Sequence, residues 1–303
     1  MIDKIVDVKN MSVKFGDFWA VKNVSFAVAP GQIFGFLGAN GAGKTTTIRV
    51  LCGLLPATSG RVIIDGISFT PGNENKIKEK VGYMSQKFTL YNDLSVKENF
   101  DFAAALHQMD NKLYLERRKQ LLEFVGFDGD IRVVVKNIPG GIKQQIALCV
   151  ALLHQPKIVF LDEPTAGVAP HARFRFWKLI RELANEGMTV FVTTHYMDEA
   201  ENCEQIALMR AGEIIATASP DELKQKTLGN TLFSVKQKKD KPMRPTPDVI
   251  DLWQPYGARF HVKFKDGVDV ASWLRKLKHD WEIQQIPPSL EDVFIRLVEG
   301  KNR

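Results

Sequence analysis

The sequence predicts an α/β fold built on a mostly parallel sheet, and three observations support this prediction. Strand-like apolar runs alternate with helical segments after Gly31, as in parallel sheets that carry helices on both faces. A glycine-rich loop at 38–45 joins the apolar run 33–37 to a helix-like stretch at 46–55. Before Gly31, short alternating segments predict an antiparallel side sheet, at 6–10, 11–15 and 21–29.

The glycine-rich loop has the composition of a phosphate-binding site. Its glycines and the helix that follows expose backbone N–H groups, and the helix dipole adds partial positive charge for an anion. Lys44 can reach terminal phosphates, Thr45 offers Mg2+ a hydroxyl, and Thr46 is a further donor. A ligand-free glycine turn is the alternative, but the flanking strand and helix favour a nucleotide site. The predicted nucleotide-binding residues of the loop are Gly38, Asn40, Gly41, Ala42, Gly43, Lys44, Thr45 and Thr46.

An acidic pair and a second glycine pair follow downstream. The buried-strand run 158–161 ends in Asp162, which can support Mg2+, and Glu163, which can polarise an attacking water. Upstream, Gly140 and Gly141 open a helical run at 146–153 and can present N–H groups to an anion.

With these motifs in this order, the chain resembles the ABC-transporter ATPases over about residues 4–218. The matching motifs are Walker A at Gly38–Thr45, the Q-loop at Gln86, the signature at Ile138–Gln145, Walker B at Ile158–Glu163, the D-loop at Ala166–Pro170 and the switch histidine His195. Phe15 matches the aromatic on which adenine stacks.

The resemblance implies a role for each matching residue. It implies ATP and Mg2+ as cofactors, with catalytic roles for Lys44, Gln86, Glu163 and His195 and metal contacts from Thr45, Gln86 and Asp162. Phe15, Gly140 and Gly141 join the ATP-binding set. Taken singly, Phe15 is more typical of a core, Gln86 of a surface and His195 of a strand end, so the order of the motifs carries the prediction.

Two residues depart from the family pattern. Pro139 replaces the usual signature serine, and Ala169 replaces the usual D-loop aspartate. Proline is compatible with a helix start, but a lost hydrogen bond to a charged group is worth about 1.5–3 kcal/mol. Family members form head-to-tail dimers with ATP between Walker A of one copy and the signature of the other. We therefore expect an ATP site built on the signature of this chain to be impaired. The Walker A loop, Glu163 and His195 of this chain are complete.

Composition is consistent with an ATPase domain beside a second, smaller domain. The chain has 303 residues, and 41 Lys and Arg against 35 Asp and Glu give a net charge of +6. This excess is mild, so no nucleic acid is expected as a partner. Cys52, Cys149 and Cys203 lack metal or disulfide spacing and are expected as buried thiols. No apolar window is long enough for a membrane helix, and the N-terminus does not resemble a signal peptide.

The predicted domains are an ABC ATPase domain at 1–218, with a helical subdomain at about 87–150, and an accessory α/β domain at 219–303. Ser95 is expected to cap a helix that runs to Leu106, and a second helix is expected at 111–124. The coupling surface for a membrane subunit is expected at Lys87–Leu94. The accessory domain contains the motif at 288–294 and resembles the C-terminal extension of exporter ATPases. Alternatively, the domain serves only to pack on the core or to join a dimer interface.

The expected function is that of the ATPase subunit of an ABC exporter, peripheral on the cytoplasmic face of the inner membrane. Its expected partners are an integral membrane permease and a second ATPase subunit, in a homodimer or heterodimer. Two alternatives remain at this stage. One is an ABC ATPase of DNA repair or translation, and the other is a regulatory ATP-binding subunit with weak hydrolysis.

Overall fold

The computed structural model describes residues 4–86, 90–229, 231–238 and 248–300. The chain divides into two compact units, Met1–Ala218 and Ser219–Arg303. The strands of the first unit are β1 Val6–Phe15, β2 Phe18–Val28, β3 Ile33–Leu37, β4 Ser59–Ile64, β5 Ile67–Ser68, β6 Val81–Met84, β7 Ile158–Asp162, β8 Thr189–Thr194, β9 Gln205–Arg210 and β10 Glu213–Ala218. Its helices are α1 Lys44–Leu51, α2 Glu74–Lys78, α3 Val96–Leu106, α4 Asn111–Phe124, α5 Gly140–Leu152, α6 Pro170–Asn185 and α7 Met197–Ala200.

A six-stranded sheet in the order β10-β9-β3-β8-β7-β6 forms the centre of the first unit. All neighbouring strands are parallel except β10, which pairs antiparallel with β9. A second sheet, β2-β1-β4-β5, is antiparallel. Both sheets confirm the predicted α/β fold. Because parallel strands end at the same edge, the residues that follow β3, β6, β7 and β8 meet there.

A cluster of aromatic side chains lies within the largely aliphatic core of the first unit. Phe26 of β2 stacks on Phe34 of β3 with ring centroids 5.6 Å apart, and it meets Phe36 edge-on at 5.1 Å. Phe191 of β8 stacks on Phe36 at 5.0 Å. Offset and edge-on aromatic pairs add stabilisation beyond the area they bury. This cluster holds β3 and β8, whose ends carry the phosphate loop and His195.

Several element bounds differ from the sequence prediction. The segments 6–10 and 11–15 form the single strand β1. Asn10 adopts a left-handed φ of 51°, and the strand continues past it because the pairing with β2 shifts register there. Helix α1 begins at Lys44 and ends at Leu51, shortly before Gly53 with φ 70°. Helix α5 begins at Gly140, so it includes the glycine pair that was predicted to open the helical run at 146–153. The sequence favours a helix at 173–185, and α6 begins earlier, at Pro170, because proline is tolerated in a first turn.

The predicted helical segment contains α3, α4 and α5. Ser95 and Glu98 form a reciprocal capping box at the start of α3, which confirms the predicted cap. Helix α4 has the predicted bounds, and Asp110 caps it by accepting from Lys112 and Leu113. Of the predicted coupling surface, Lys87, Phe88 and Thr89 lie outside the described residues.

In its described residues, the second unit contains a four-stranded antiparallel sheet and three helices. Its elements are α8 Pro220–Leu228, β11 Leu232–Gln237, β12 Ile250–Tyr256, β13 Arg259–Phe264, α9 Val270–Leu277, β14 Trp281–Ile286 and α10 Leu290–Gly300. The strand order is β12-β13-β11-β14. Trp281 is fully buried in the core of this unit. Leu290 and Val293 of α10 are also buried. The polar sequence at 237–242 predicts a solvated loop, and its residues from 239 onward lie outside the described residues.

Candidate active site

The phosphate loop is held tightly between β3 and α1. A Cβ on Gly38 would lie 2.3 Å from the Met209 carbonyl oxygen, and one on Gly43 would lie 2.6 Å from that of Ala20. Gly43 also has a left-handed φ of 105°, which favours glycine. Thr47 makes the first helical bond, donating to the Gly43 carbonyl at 2.9 Å. The N–H groups of Lys44, Thr45 and Thr46 in the first turn therefore precede the first intrahelical bond and are free to serve an anion site.

Lys44 lies buried inside this loop. Its ammonium donates to the carbonyl oxygens of Gly38 at 2.7 Å and Ala39 at 3.2 Å. It also pairs with Glu163, with Nζ 3.3 Å from Oε1. The two side chains are only 4% and 7% exposed. The lysine ammonium is a point charge on a flexible stem. Lys44 can therefore exchange its contacts with carbonyl oxygens and a carboxylate for a contact with a phosphate.

Asp162, at the end of β7, faces Thr45 across the sheet edge. Its Oδ1 accepts from Thr45 Oγ1 at 3.1 Å and from Thr193 Oγ1 at 2.6 Å. Burial raises the pKa of Asp162 above its ordinary value, although the hydrogen bonds from Thr193 and Thr45 act against this rise. A divalent cation would offset the cost of this buried charge. The hydroxyl and carboxylate oxygens are the hard donors that Mg2+ prefers, so the residues fit that ion.

Glu163 is the residue on which the predicted catalytic side chains converge. Oε2 accepts from Gln86 Nε2 at 2.9 Å and lies 3.1 Å from His195 Nδ1, while Oε1 faces Lys44. Its backbone has a left-handed φ of 48°, which costs about 1–3 kcal/mol for a non-glycine residue. The Glu163 N–H donates to the Thr193 hydroxyl at 2.9 Å, which helps to hold this conformation. In this conformation the carboxylate contacts Lys44 of the phosphate loop.

The structure brings together six of the predicted site residues through direct contacts, namely Lys44, Thr45, Gln86, Asp162, Glu163 and His195. Phe15 lies elsewhere, at the end of β1, where it is 50% exposed and pairs with Phe18 across the hairpin. An exposed aromatic is available for stacking, so the predicted adenine contact stays a prediction.

Gly140 and Gly141 line a separate cleft of about 480 Å³ with the D-loop residues. Pro139 is the N-cap of α5 and offers the helix no side-chain cap. A Cβ on Gly141 would lie 2.8 Å from that of Ala172, so this glycine permits close packing of α5 on α6. Ala169 is the N-cap of α6, likewise without a side-chain cap. Neither of the two residues that depart from the family pattern therefore provides a side-chain cap at its helix start.

Sequence reasoning missed the threonines that support the site. Thr193 binds both Asp162 and the Glu163 backbone, and Thr165 and Thr194 both donate to the buried Glu199. The available signal was the pair of threonines before His195 at the end of an apolar strand. Hydroxyls at a buried strand end need acceptors, and acidic residues are the nearest ones.

Comparison with known proteins identifies the family. The ABC transporter family profile matches residues 21–166, and the profile described as "ATP-binding protein DrrA1-3-like, C-terminal domain" matches residues 219–298. The Nod factor export ATP-binding protein I of Cupriavidus metallidurans is 32% identical over 302 residues, which cover 99% of each chain. This chain belongs to the ABC transporter ATP-binding family.

Other relatives of this ABC ATPase fit the same family. A probable multidrug ABC transporter ATP-binding protein of Escherichia coli is 42% identical over 222 residues, which cover 73% of this chain. The match spans only 38% of the length of that relative. The named relatives are transport ATP-binding proteins, so they do not favour the alternatives in DNA repair, translation or regulation. No helix among the described residues has the length and apolar character needed to cross a membrane.

Solved structures share the fold of this ABC ATPase. A nucleotide-free ATP-binding cassette from an ABC transporter is 25% identical, has a TM-score of 0.67 and covers 74% of this chain and 94% of its own. A dimeric ATP-binding cassette bound to ADP and phosphate in a post-hydrolysis state is 26% identical, with a TM-score of 0.64. That match covers 71% of this chain and 98% of the other.

Proposed function

We propose that this chain hydrolyses ATP as the ATPase subunit of an ABC exporter and drives transport through a separate membrane permease. The convergence of Lys44, Gln86 and His195 on the Glu163 carboxylate is the observation that carries the proposal. The names of the relatives, which include a linearmycin resistance protein and Nod factor export proteins, support the export direction.

Glu163 serves as the general base in this proposal. Its carboxylate accepts a proton from the water that attacks the γ-phosphate of ATP. Lys44 and His195 contact this carboxylate in the structure. The terminal phosphates of ATP would compete with the carboxylate for both side chains. ATP binding therefore releases a carboxylate oxygen for the water. The N–H groups at the start of α1 hold the phosphates meanwhile.

Thr45, Asp162 and Gln86 are the residues that would hold Mg2+. When bound, this ion neutralises negative charge that develops on the phosphate oxygens. The support is the 3.1 Å contact between Thr45 Oγ1 and Asp162 Oδ1, and the raised pKa of Asp162 through burial. The Gln86 amide donates through Nε2 to Glu163, which leaves its Oε1 as an acceptor-type ligand.

The permease docks, in our proposal, on the cleft between β6 and α3. This cleft has a volume of about 340 Å³. Tyr91 and Phe102 form an edge-on pair with centroids 5.0 Å apart, although they are 53% and 49% exposed. Leu106 at the end of α3 is 69% exposed. Exposed aromatic and aliphatic side chains beside a cleft are typical of a protein interface, and docking here would hold the subunit peripherally on the cytoplasmic face of the membrane.

Substitution of Glu163 with glutamine tests the proposal. The amide fills the same space but cannot take a proton, so we expect turnover to fall at least 100-fold while ATP still binds. Lys44 keeps its carbonyl partners Gly38 and Ala39 in this variant. The matched control is Glu182→Gln, a change at a half-buried glutamate on α6 that pairs with Lys178 at the surface. Equal loss in both variants, or no loss in Glu163→Gln, would contradict the general-base role.

The same variant tests assembly. Slow hydrolysis should trap any ATP-bound dimer, so the solution mass of Glu163→Gln with Mg-ATP should double if this signature, Pro139 included, still closes a site. A monomer that binds ATP would indicate a heterodimer or assembly imposed by the permease.

A further inference from the structure

One buried carboxylate joins the two loops that carry Glu163 and His195. Glu199, at the end of α7, is 2% exposed. Its Oε1 accepts from the Thr165 hydroxyl and its Oε2 from the Thr194 hydroxyl at 2.7 Å. Thr165 follows Glu163 by two residues, and Thr194 directly precedes His195. Glu199 therefore connects the ends of β7 and β8 behind the active site.

Arg173 supplies the positive charge beside this carboxylate. Its Nε lies 3.3 Å from Glu199 Oε1. The guanidinium carbon also lies 4.1 Å from the centroid of the Tyr196 ring, and that ring lies 4.1 Å from the His195 ring. Arg173 also pairs with Asp198, with Nη1 3.7 Å from Oδ2. It thus contacts the segment 195–199, here called the histidine loop, through two carboxylates and through the aromatic face of Tyr196.

Arg173 belongs to the first turn of α6, the helix that begins directly after Ala169. The Arg173 side chain therefore links the helix start after the D-loop to the histidine loop. This side chain is 21% exposed. A carboxylate at the burial of Glu199 is unfavourable without a nearby positive charge. Lysine can supply that charge, but only the planar guanidinium can pair with Glu199 and stack on Tyr196 at once.

We propose that Arg173 is a positioning residue for His195, acting through Tyr196 and Glu199. It links the start of α6, which follows the D-loop, to the histidine that contacts Glu163. This inference rests on the proposed function, because His195 has a reaction to serve only if the chain hydrolyses ATP. The effect of Arg173 on the His195 ring can nevertheless be measured without turnover.

The first measurement is the side-chain NMR spectrum of the histidines in the full chain. The chain contains six histidines, and the His195 signals are assigned by their loss in His195→Ala. We expect these signals to move in Arg173→Ala and Arg173→Lys, and to stay in place in Lys178→Ala. Lys178 lies on the same helix, is 71% exposed and pairs along the surface with Glu182. Unmoved His195 signals in both Arg173 variants would overturn the proposal.

The second measurement is ATP turnover in a double-mutant cycle. We expect Arg173→Ala to lower kcat about 10-fold to 100-fold, as a slight misplacement of a catalytic group does, with KM changed less than about threefold. In the His195→Ala background, Arg173→Ala should cost less than about twofold more. Equal losses in both backgrounds would overturn the proposal, because Arg173 would then act independently of His195.

Two further variants guard against a folding defect in Arg173→Ala. Tyr196→Phe keeps the ring between Arg173 and His195 and should leave the His195 signals in place, whereas Tyr196→Leu removes the ring and should move them. The reverse result would overturn the proposal. If the wild-type chain binds ATP but shows no turnover, the proposed function fails, and the NMR comparison still decides the role of Arg173.

Discussion

Replacing Ala169 with aspartate would add the N-cap that helix α6 lacks. Ala169 has φ −60° and ψ 147°, the extended conformation of an N-cap residue, and no side-chain cap is present. Its carbonyl already accepts the N–H groups of Ala172 and Arg173, each at 3.0 Å. Because Pro170 has no N–H, the N–H of His171 is the nearest donor for a new carboxylate. The backbone therefore needs no rearrangement to accept the cap.

The expected gain follows from two terms. Supplying an N-cap side chain contributes about 0.5–2 kcal/mol to the free energy of unfolding. A carboxylate at a helix N-terminus adds about 0.3–1 kcal/mol through the helix dipole. In a unit of this size, about 1 kcal/mol raises Tm by roughly 2–4 °C. We expect Ala169→Asp to gain about 1–2 kcal/mol, and Ala169→Asn to gain the hydrogen-bonding part alone.

The assay combines thermal unfolding with hydrogen exchange of peptides that cover residues 170–185. Slower exchange should be confined to the first turns of α6. A variant that gained nothing in either measurement would refute the reasoning, because it would mean that the α6 start does not have the capping geometry. The double variant Pro139→Ser with Ala169→Asp should also raise turnover per dimer. Unchanged turnover would contradict the idea that these two residues impair an ATP site built on the signature of this chain.

Two further predictions concern the loop and the acid stability of the fold. Gly43→Ala should lower the free energy of unfolding by about 2 kcal/mol or more, because its Cβ would lie 2.6 Å from the Ala20 carbonyl oxygen at φ 105°. Gly41→Ala has open space around its Cβ and should cost only about 1 kcal/mol, so equal losses in urea unfolding would contradict the clash. Burial lowers the pKa of His154 to about 4, aided by the neighbouring His107 ring, 3.7 Å away. The unfolded chain takes up this proton near pH 6.5 and the folded chain near 4, so stability is lost as pH falls between them. We expect a loss on the order of 2 kcal/mol after allowance for partial exposure, and a smaller loss in His154→Gln, whose amide can still donate to the Val81 carbonyl. An equally steep loss in that variant would refute the assignment.

Local patterns were sufficient to predict most elements. The alternation of strands and helices predicted the parallel sheet. The Ser95 cap and the helical periodicity predicted α3 and α4 with their observed bounds, whereas the Asp110 cap of α4 was not predicted. Bounds at glycine and proline were predicted less well, because these residues can lie inside a first turn or outside it. Burial of Cys52, Cys149 and Cys203 was also predicted, and all three are buried free thiols.

The motifs by themselves also predicted which side chains form the candidate site, since each lies near the end of a strand or the start of a helix. Only the tertiary structure decided how they combine. The meeting of Lys44, Gln86 and His195 on Glu163 joins residues up to 151 positions apart, between 44 and 195. The support from Thr193 and the Arg173–Tyr196–His195 contact likewise depend on strand order and helix packing. Sequence spacing reports the local backbone, whereas these contacts arise from the alignment of parallel strand ends at one edge of the sheet.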